Sequence, residues 1–153
     1  MWLEREDFRT AVRLSPLVSI DLVVRDAAGR VLLGWRNNRP AQHCWFVPGG
    51  SIRKQETLDA AFRRISHDEL GLDCERTEAR WLGVYEHFYD DHFAGTDFGT
   101  HYVVLGHELA VGSGLTTLPD AQHAHWRWFE VDELLASPEV HRHSKWYFDP
   151  RAC

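Results

Sequence analysis

One segment, Gly49 to Leu72, sets the hardest constraint on how this chain can fold. A short apolar run, Trp45-Phe46-Val47, stops at Pro48-Gly49-Gly50, and a polar stretch follows. From about Thr57 to Leu70 the apolar residues recur with helical spacing. Leu58, Ala61, Phe62 and Ile65 form an i, i+3, i+4, i+7 stripe, and Gly71 supplies the C-terminal stop. Glu69 falls eleven residues after Leu58. At about 100° per residue it returns to nearly the same angle. Its carboxylate is therefore expected on the core-facing side of the last turn, where the helix macrodipole disfavours an anion. Burying an uncompensated carboxylate is costly, and a nearby cation removes both penalties. The alternative is a Glu at a frayed helix end that swings to water. The wheel alone leaves the two level.

The residues ahead of the helix favour the cation. Gly49-Gly50 follows a strand and can present backbone groups with no side chain in the way. A backbone carbonyl with a carboxylate is hard-oxygen ligation, suited to Mg²⁺ or Mn²⁺. Mg²⁺ ordinarily completes its shell with water and substrate phosphates.

Composition narrows the class. The 153 residues point to one domain, 1–153, with 44% hydrophobic and 26% charged residues. No apolar run approaches the roughly 18 residues of a membrane span. The charged N-terminus lacks an apolar signal segment, so a cytoplasmic location is the default. Cys44, Cys74 and Cys153 are odd in number without C-x-x-C spacing, which reads as isolated thiols rather than a disulfide framework or zinc site. A net charge of −6 argues against a general nucleic-acid binder. A phosphate ligand would need local cations or a metal. Ten His residues are many for this length, four of them between His123 and His143, but surface or structural roles are commoner than metal binding.

No repeat or linker interrupts the chain. Glu4 to Leu14 reads as an amphipathic helix with Phe8, Ala11 and Val12 inward. Leu17 to Arg25 alternates as a strand, with Val18, Ile20, Leu22 and Val24 on one face and Ser19, Asp21 and Val23 on the other. Ala27-Ala28-Gly29 turns it into a second strand, Arg30 to Arg36. Trp81 to Tyr89, His101 to Val111 and Trp126 to Glu130 read as strands, with a polar loop from Asp90 to Asp97. Helices are expected at Val131 to Ala136 and His141 to Phe148. The pattern is α+β, an α/β sandwich.

Gly50, five residues, Glu56, seven residues, Arg64, then Glu69, Gly71 and Leu72 resemble the Nudix signature G-x5-E-x7-R-E-U-x-E-E-x-G-U, U being bulky aliphatic. The resemblance implies the Nudix fold, a mixed sheet flanked by helices. The box has departures. Ile65 stands at a signature Glu, Asp68 at another, and Ser66 at the aliphatic position. Those carboxylates help the family hold several metal ions, so losing the one at position 65 predicts a single ion. Two readings follow: a Nudix-fold protein that binds nucleotide sugars without catalysis, or a changed reaction.

A longer, collinear resemblance favours a changed reaction. Pro16 to Asp21, Asn38 to Gln42, Trp45 to Gly50, His87 to Asp91, Gly95 to Phe98, Thr100 to Gly106, Leu118 to Asp120 and Gln122-His123 are similar to the GDP-mannose mannosyl hydrolases over about residues 3 to 148. That family hydrolyses GDP-mannose, and GDP-glucose, to GDP and free sugar, by water attack at the sugar C1 with inversion. Breaking the C–O bond leaves positive charge on the sugar and negative charge on the departing GDP.

The resemblance implies one Mg²⁺ held by the Gly49 carbonyl, Glu69 and Gln122. It implies His123 as general base, a group whose ordinary pKa of about 6.5 suits the task. Arg36 would neutralise the leaving diphosphate, and Asp21 would stabilise cationic charge at the sugar. Arg64 would act through Glu69 or Glu56. His87 and Tyr102 would contact sugar or phosphate. The family carries a second arginine directly after Gly50; here Ser51 stands there, and Arg53 is the candidate substitute. The partner is a small-molecule nucleotide sugar, not nucleic acid or membrane, and the family is typically homodimeric. Ordinary phosphoanhydride hydrolysis remains the other enzymatic expectation.

Overall fold

The computed structural model describes residues 3–112, 115 and 123–149. Its elements are α1 (Arg5–Leu14), β1 (Leu17–Asp26), β2 (Val31–Arg36), β3 (Trp45–Phe46), β4 (Gly49–Ser51), α2 (Leu58–Leu70), β5 (Arg80–Tyr89), β6 (Thr100–Gly112), β7 (His123–Phe129), α3 (Val131–Ala136) and α4 (Arg142–Lys145), with a 3₁₀ turn at Arg76–Glu78. The strands form one seven-stranded mixed sheet ordered β3-β2-β1-β6-β5, with β4 added to β1 and β7 to β2. Among the described strand pairs only β1 and β6 run parallel; the others are antiparallel.

The helix boundaries follow local chemistry. The Thr57 hydroxyl accepts the Ala60 N–H at 3.2 Å and caps α2. Gly71 closes it with φ 68°, a conformation costly for a residue with a Cβ. The buried Ser66 hydroxyl donates to the Arg63 carbonyl and accepts the Cys74 N–H, so it fastens the chain that leaves the helix. Among the described residues no helix is long and apolar enough to cross a membrane.

Two cores lie on opposite faces of the sheet. On one face Ala61, Phe62, Ile65 and Leu70 of α2 pack on Ile20, Leu22 and Val24. On the other, Val23, Val31, Leu33 and Phe46 meet Phe129, Leu134 of α3 and Val140. Burying one such large side chain contributes about 1.5–3 kcal/mol. On β1 the face of Ser19, Asp21 and Val23 is buried as Ile20, Leu22 and Val24 are, because both sides of this central strand are covered, whereas Val18, placed on the apolar face, is 42% exposed. Three smaller expectations change too. Gly49-Gly50 does not merely end a strand but forms β4. Leu58, placed on the apolar stripe, is 41% exposed. The expected C-terminal helix is shorter, at Arg142–Lys145.

Candidate active site

Asp21 sits between two glycines. Its register partner on β4 is Gly49 and its partner on β6 is Gly106. A Cβ on Gly49 would stand 2.5 Å from Asp21 Oδ1. A Cβ on Gly106 would stand 3.0 Å from a ring carbon of Tyr147. The missing side chains therefore open both flanks of the carboxylate. On the β6 side the Tyr147 ring fills the gap, and its hydroxyl donates to Asp21 Oδ2 at 2.6 Å. Burial pushes the Asp21 carboxyl up to about 7, against the opposing pull of the Tyr147 hydrogen bond and the Arg36 charge. The Glu69 charge adds to the upward push.

Asp21, Arg36, His87 and Tyr102 line one cavity of about 190 Å³, with Gly49 and Gly50 at its edge. The structure thus brings together four of the side chains expected from the sequence. Arg36 is fixed by donating from Nε to the Pro40 carbonyl at 3.1 Å. Burial pushes the Tyr102 hydroxyl up, against the opposing pull of the Ser51 side chain. Ser51 lines the same cavity from the position where the resemblance would put an arginine.

Gly49 and Gly50 also border a second cavity of about 530 Å³, which holds Glu69, Arg53, Lys54 and Arg64 and is roofed by Arg5 and Phe8 of α1. Glu69 is only 6% exposed, on the inward side of α2 as the wheel indicated. Of the two partners open to Arg64, the structure gives Glu56: Nε and a terminal nitrogen reach its two oxygens at 2.7 and 2.9 Å. The guanidinium also donates to the Ser51 carbonyl at 2.8 Å. These hydrogen bonds hold Glu56 down to about 2. Arg64 thus ties the Gly49–Glu56 loop to α2. Asp68 is exposed and lies 3.7 Å from the same arginine, so it does not replace a buried carboxylate.

Ile65 occupies the space where the signature has Glu. It is 1% exposed, and a Cβ on Gly50 would sit 3.2 Å from its Cγ1. The position has become apolar packing beneath the loop.

Behind His87 lies a layer of aromatic side chains that sequence reasoning missed. The His87 and His143 rings stack at 4.3 Å and 14°, with Trp146, Tyr89 and His141 around them. Burial pushes His87 down to about 3, His141 to about 4 and His143 to about 2. The pair is held neutral. Tyr147 was missed as well; the bare Gly106 beside Asp21 is a signal that becomes visible only once strand register is known.

The donor chemistry fits a hard divalent cation. The Glu69 carboxylate and Gly49 border one cavity, and Asp21 feels the Glu69 charge across the shared wall. The Glu69 charge raises the cost of ionising Asp21, which a cation between a carbonyl and a carboxylate would offset. Gln122 lies outside the described residues, as does the His123 side chain. The His123 backbone heads β7 in register with Arg36.

Comparison with known proteins bears on the whole arrangement. A model of the NUDIX domain matches residues 15–150. The low-salt glycan biosynthesis protein Agl8 of Haloferax volcanii is 39% identical over 138 residues, covering 90% of this chain and 86% of that protein. A MutT protein from Methanosarcina mazei Go1 superposes with a TM-score of 0.70 at 18% identity, covering 90% and 93% of the two chains. A MutT NUDIX hydrolase from Burkholderia pseudomallei gives 0.69 at 27% identity, covering 87% and 95%.

Proposed function

The chain belongs to the Nudix hydrolase superfamily, and on that premise we propose that it hydrolyses GDP-mannose, with GDP-glucose as a second substrate, to GDP and free sugar. Ile65 carries this reading. Attack on phosphorus in the family draws on the signature carboxylates, and here one of them is a core side chain pressed under Gly50. Glu69 is left as the buried carboxylate of the box. The name of the Haloferax relative, which refers to glycan biosynthesis, supports a sugar-bearing substrate.

The Gly49 carbonyl, Glu69 and Gln122 would hold one Mg²⁺, which when bound offsets the charge of the departing diphosphate. Arg36 lines the adjoining cavity and supplies a fixed cation toward the same leaving group. Asp21, in that cavity, faces the sugar carbon as it becomes positive, and both that charge and Arg36 favour its ionised form. His123 takes the proton of the attacking water; its place in register with Arg36 supports this role. His87 and Tyr102 border the space for the sugar, and neutral His87 can exchange hydrogen bonds with hydroxyls without charge. Arg53 and Lys54 lie in the larger cavity on the far side of Gly49-Gly50, within reach of a phosphate chain. The same family reading carries a homodimer, which sedimentation checks.

Hydrolysis in ¹⁸O-labelled water tests the reaction. Label in the released sugar, at inverted C1, is the expected result. Label in phosphate, or binding without product, overturns it.

A further inference from the structure

We infer that Tyr147 is a positioning residue for the reaction: it fixes which way the Asp21 carboxylate faces. This rests on the role proposed for Asp21. The two oxygens of that carboxylate have different surroundings. Oδ2 accepts the Tyr147 hydroxyl at 2.6 Å. Oδ1 is turned to the Gly49 side, where a Cβ would collide with it. The carboxylate is thus anchored through one oxygen and presented through the other at the edge of the cavity shared with Arg36.

The anchor is built for its place. The Tyr147 ring can reach Asp21 because Gly106, the neighbour of Asp21 on β6, has no side chain. The ring is held edge-on by Tyr85 at 4.6 Å. It also borders the His87 ring at 6.4 Å. Tyr147 lies 126 residues from Asp21 in sequence, just beyond α4. The α4 turn is itself tied to the active-site loop: the Ser144 hydroxyl accepts the Val47 N–H at 3.0 Å, one residue before Pro48-Gly49. The C-terminal turn therefore sets the carboxylate and the glycine loop together. Charged-group hydrogen bonds of this kind are directional, and loss of orientation at a reacting centre costs rate more than binding.

Tyr147→Phe keeps the ring and removes the hydroxyl. On GDP-mannose with Mg²⁺, kcat is expected to fall roughly tenfold to a hundredfold with KM little changed. Asp21→Asn should fall further, and adding Tyr147→Phe to it should cost nothing more, because the anchor then has no carboxylate to hold. Full activity in Tyr147→Phe, or losses that multiply in the double variant, overturns the inference. A wild-type chain that releases no sugar from GDP-mannose overturns the functional reading instead. The crystal structure of Tyr147→Phe then decides the anchor separately: a carboxylate turned from its wild-type orientation supports it, and an unmoved one overturns it.

Discussion

Arg64 grips both oxygens of Glu56 while also donating to the carbonyl of Ser51. One guanidinium therefore couples the loop after β4 to the helix that carries Glu69. Lysine cannot reproduce this fork. Arg64→Lys is expected to lower stability by about 2 kcal/mol, in the range for hydrogen bonds to charged groups. Hydrolysis should fall with it, because Gly49–Ser51 loses its support. Thermal unfolding together with steady-state rates checks the prediction; unchanged values in both would show that the loop stands without the fork.

Ile65→Glu restores the signature carboxylate where the fold has none. Without metal the variant should unfold well below wild type, since a carboxylate replaces a side chain 1% exposed beneath Gly50. Mg²⁺ should recover more of the loss than it adds to wild type, by binding the folded state. Melting curves with EDTA and with Mg²⁺ give the comparison. A variant whose midpoint is indifferent to Mg²⁺ would remove position 65 from the metal's surroundings.

Glu69→Gln should behave oppositely. The wild-type chain is expected to melt higher with Mg²⁺ than with EDTA, and the variant to lose that difference. Isothermal titration of Mg²⁺ with GDP present measures the same property. Retained Mg²⁺ binding in the variant would locate the ion elsewhere.

The buried histidines make stability depend on pH. His87, His141 and His143 sit well below the ordinary value of about 6.5 because burial disfavours their charged forms. As pH falls below about 6.5 the unfolded chain takes up protons that the folded chain refuses. Their contribution is complete above that pH and is lost progressively below it, until His141 charges in the folded state at about 4, His87 at about 3 and His143 at about 2. The His141 ring also accepts the His143 N–H through Nδ1, which protonation would forbid. The melting temperature should decline over this window, and less steeply in His143→Phe. Parallel curves for the two proteins would refute the assignment.

Sequence reading reached the parts of this molecule governed by local rules. Thr57 and Gly71 bracket α2, and the wheel placed Glu69 inward, because capping and helical period act within a few residues. It failed where burial depends on distant neighbours. Ser19 and Asp21 read as the less apolar face of β1, yet both are buried, and Asp21 meets the Tyr147 hydroxyl from more than a hundred residues away. β4 gave no signal, since Gly-Gly-Ser has no alternation to read; it exists because β1 offers an unpaired edge. Leu58 matched the stripe but sits in the first turn of α2 and stays 41% exposed. Asp21, Arg36, His87 and Tyr102, named through family motifs, line one cavity, whereas the placing of Tyr147 and His143 depends on how the last turn docks.

The double pairing of β1 also limits how the chain can vary in length. Between β4 and β6 its pleat works as a parity rule: odd and even positions look into different cores. Deleting one residue among 17–20 would invert the rule, exchanging Asp21 with an aliphatic neighbour and turning a carboxylate into the α2 core. Deleting two would restore the alternation but move Asp21 off the level of its glycines. Indels should therefore be rejected throughout β1 and tolerated only at the hairpin tip, residues 27–29, where no cross-strand partner keeps count.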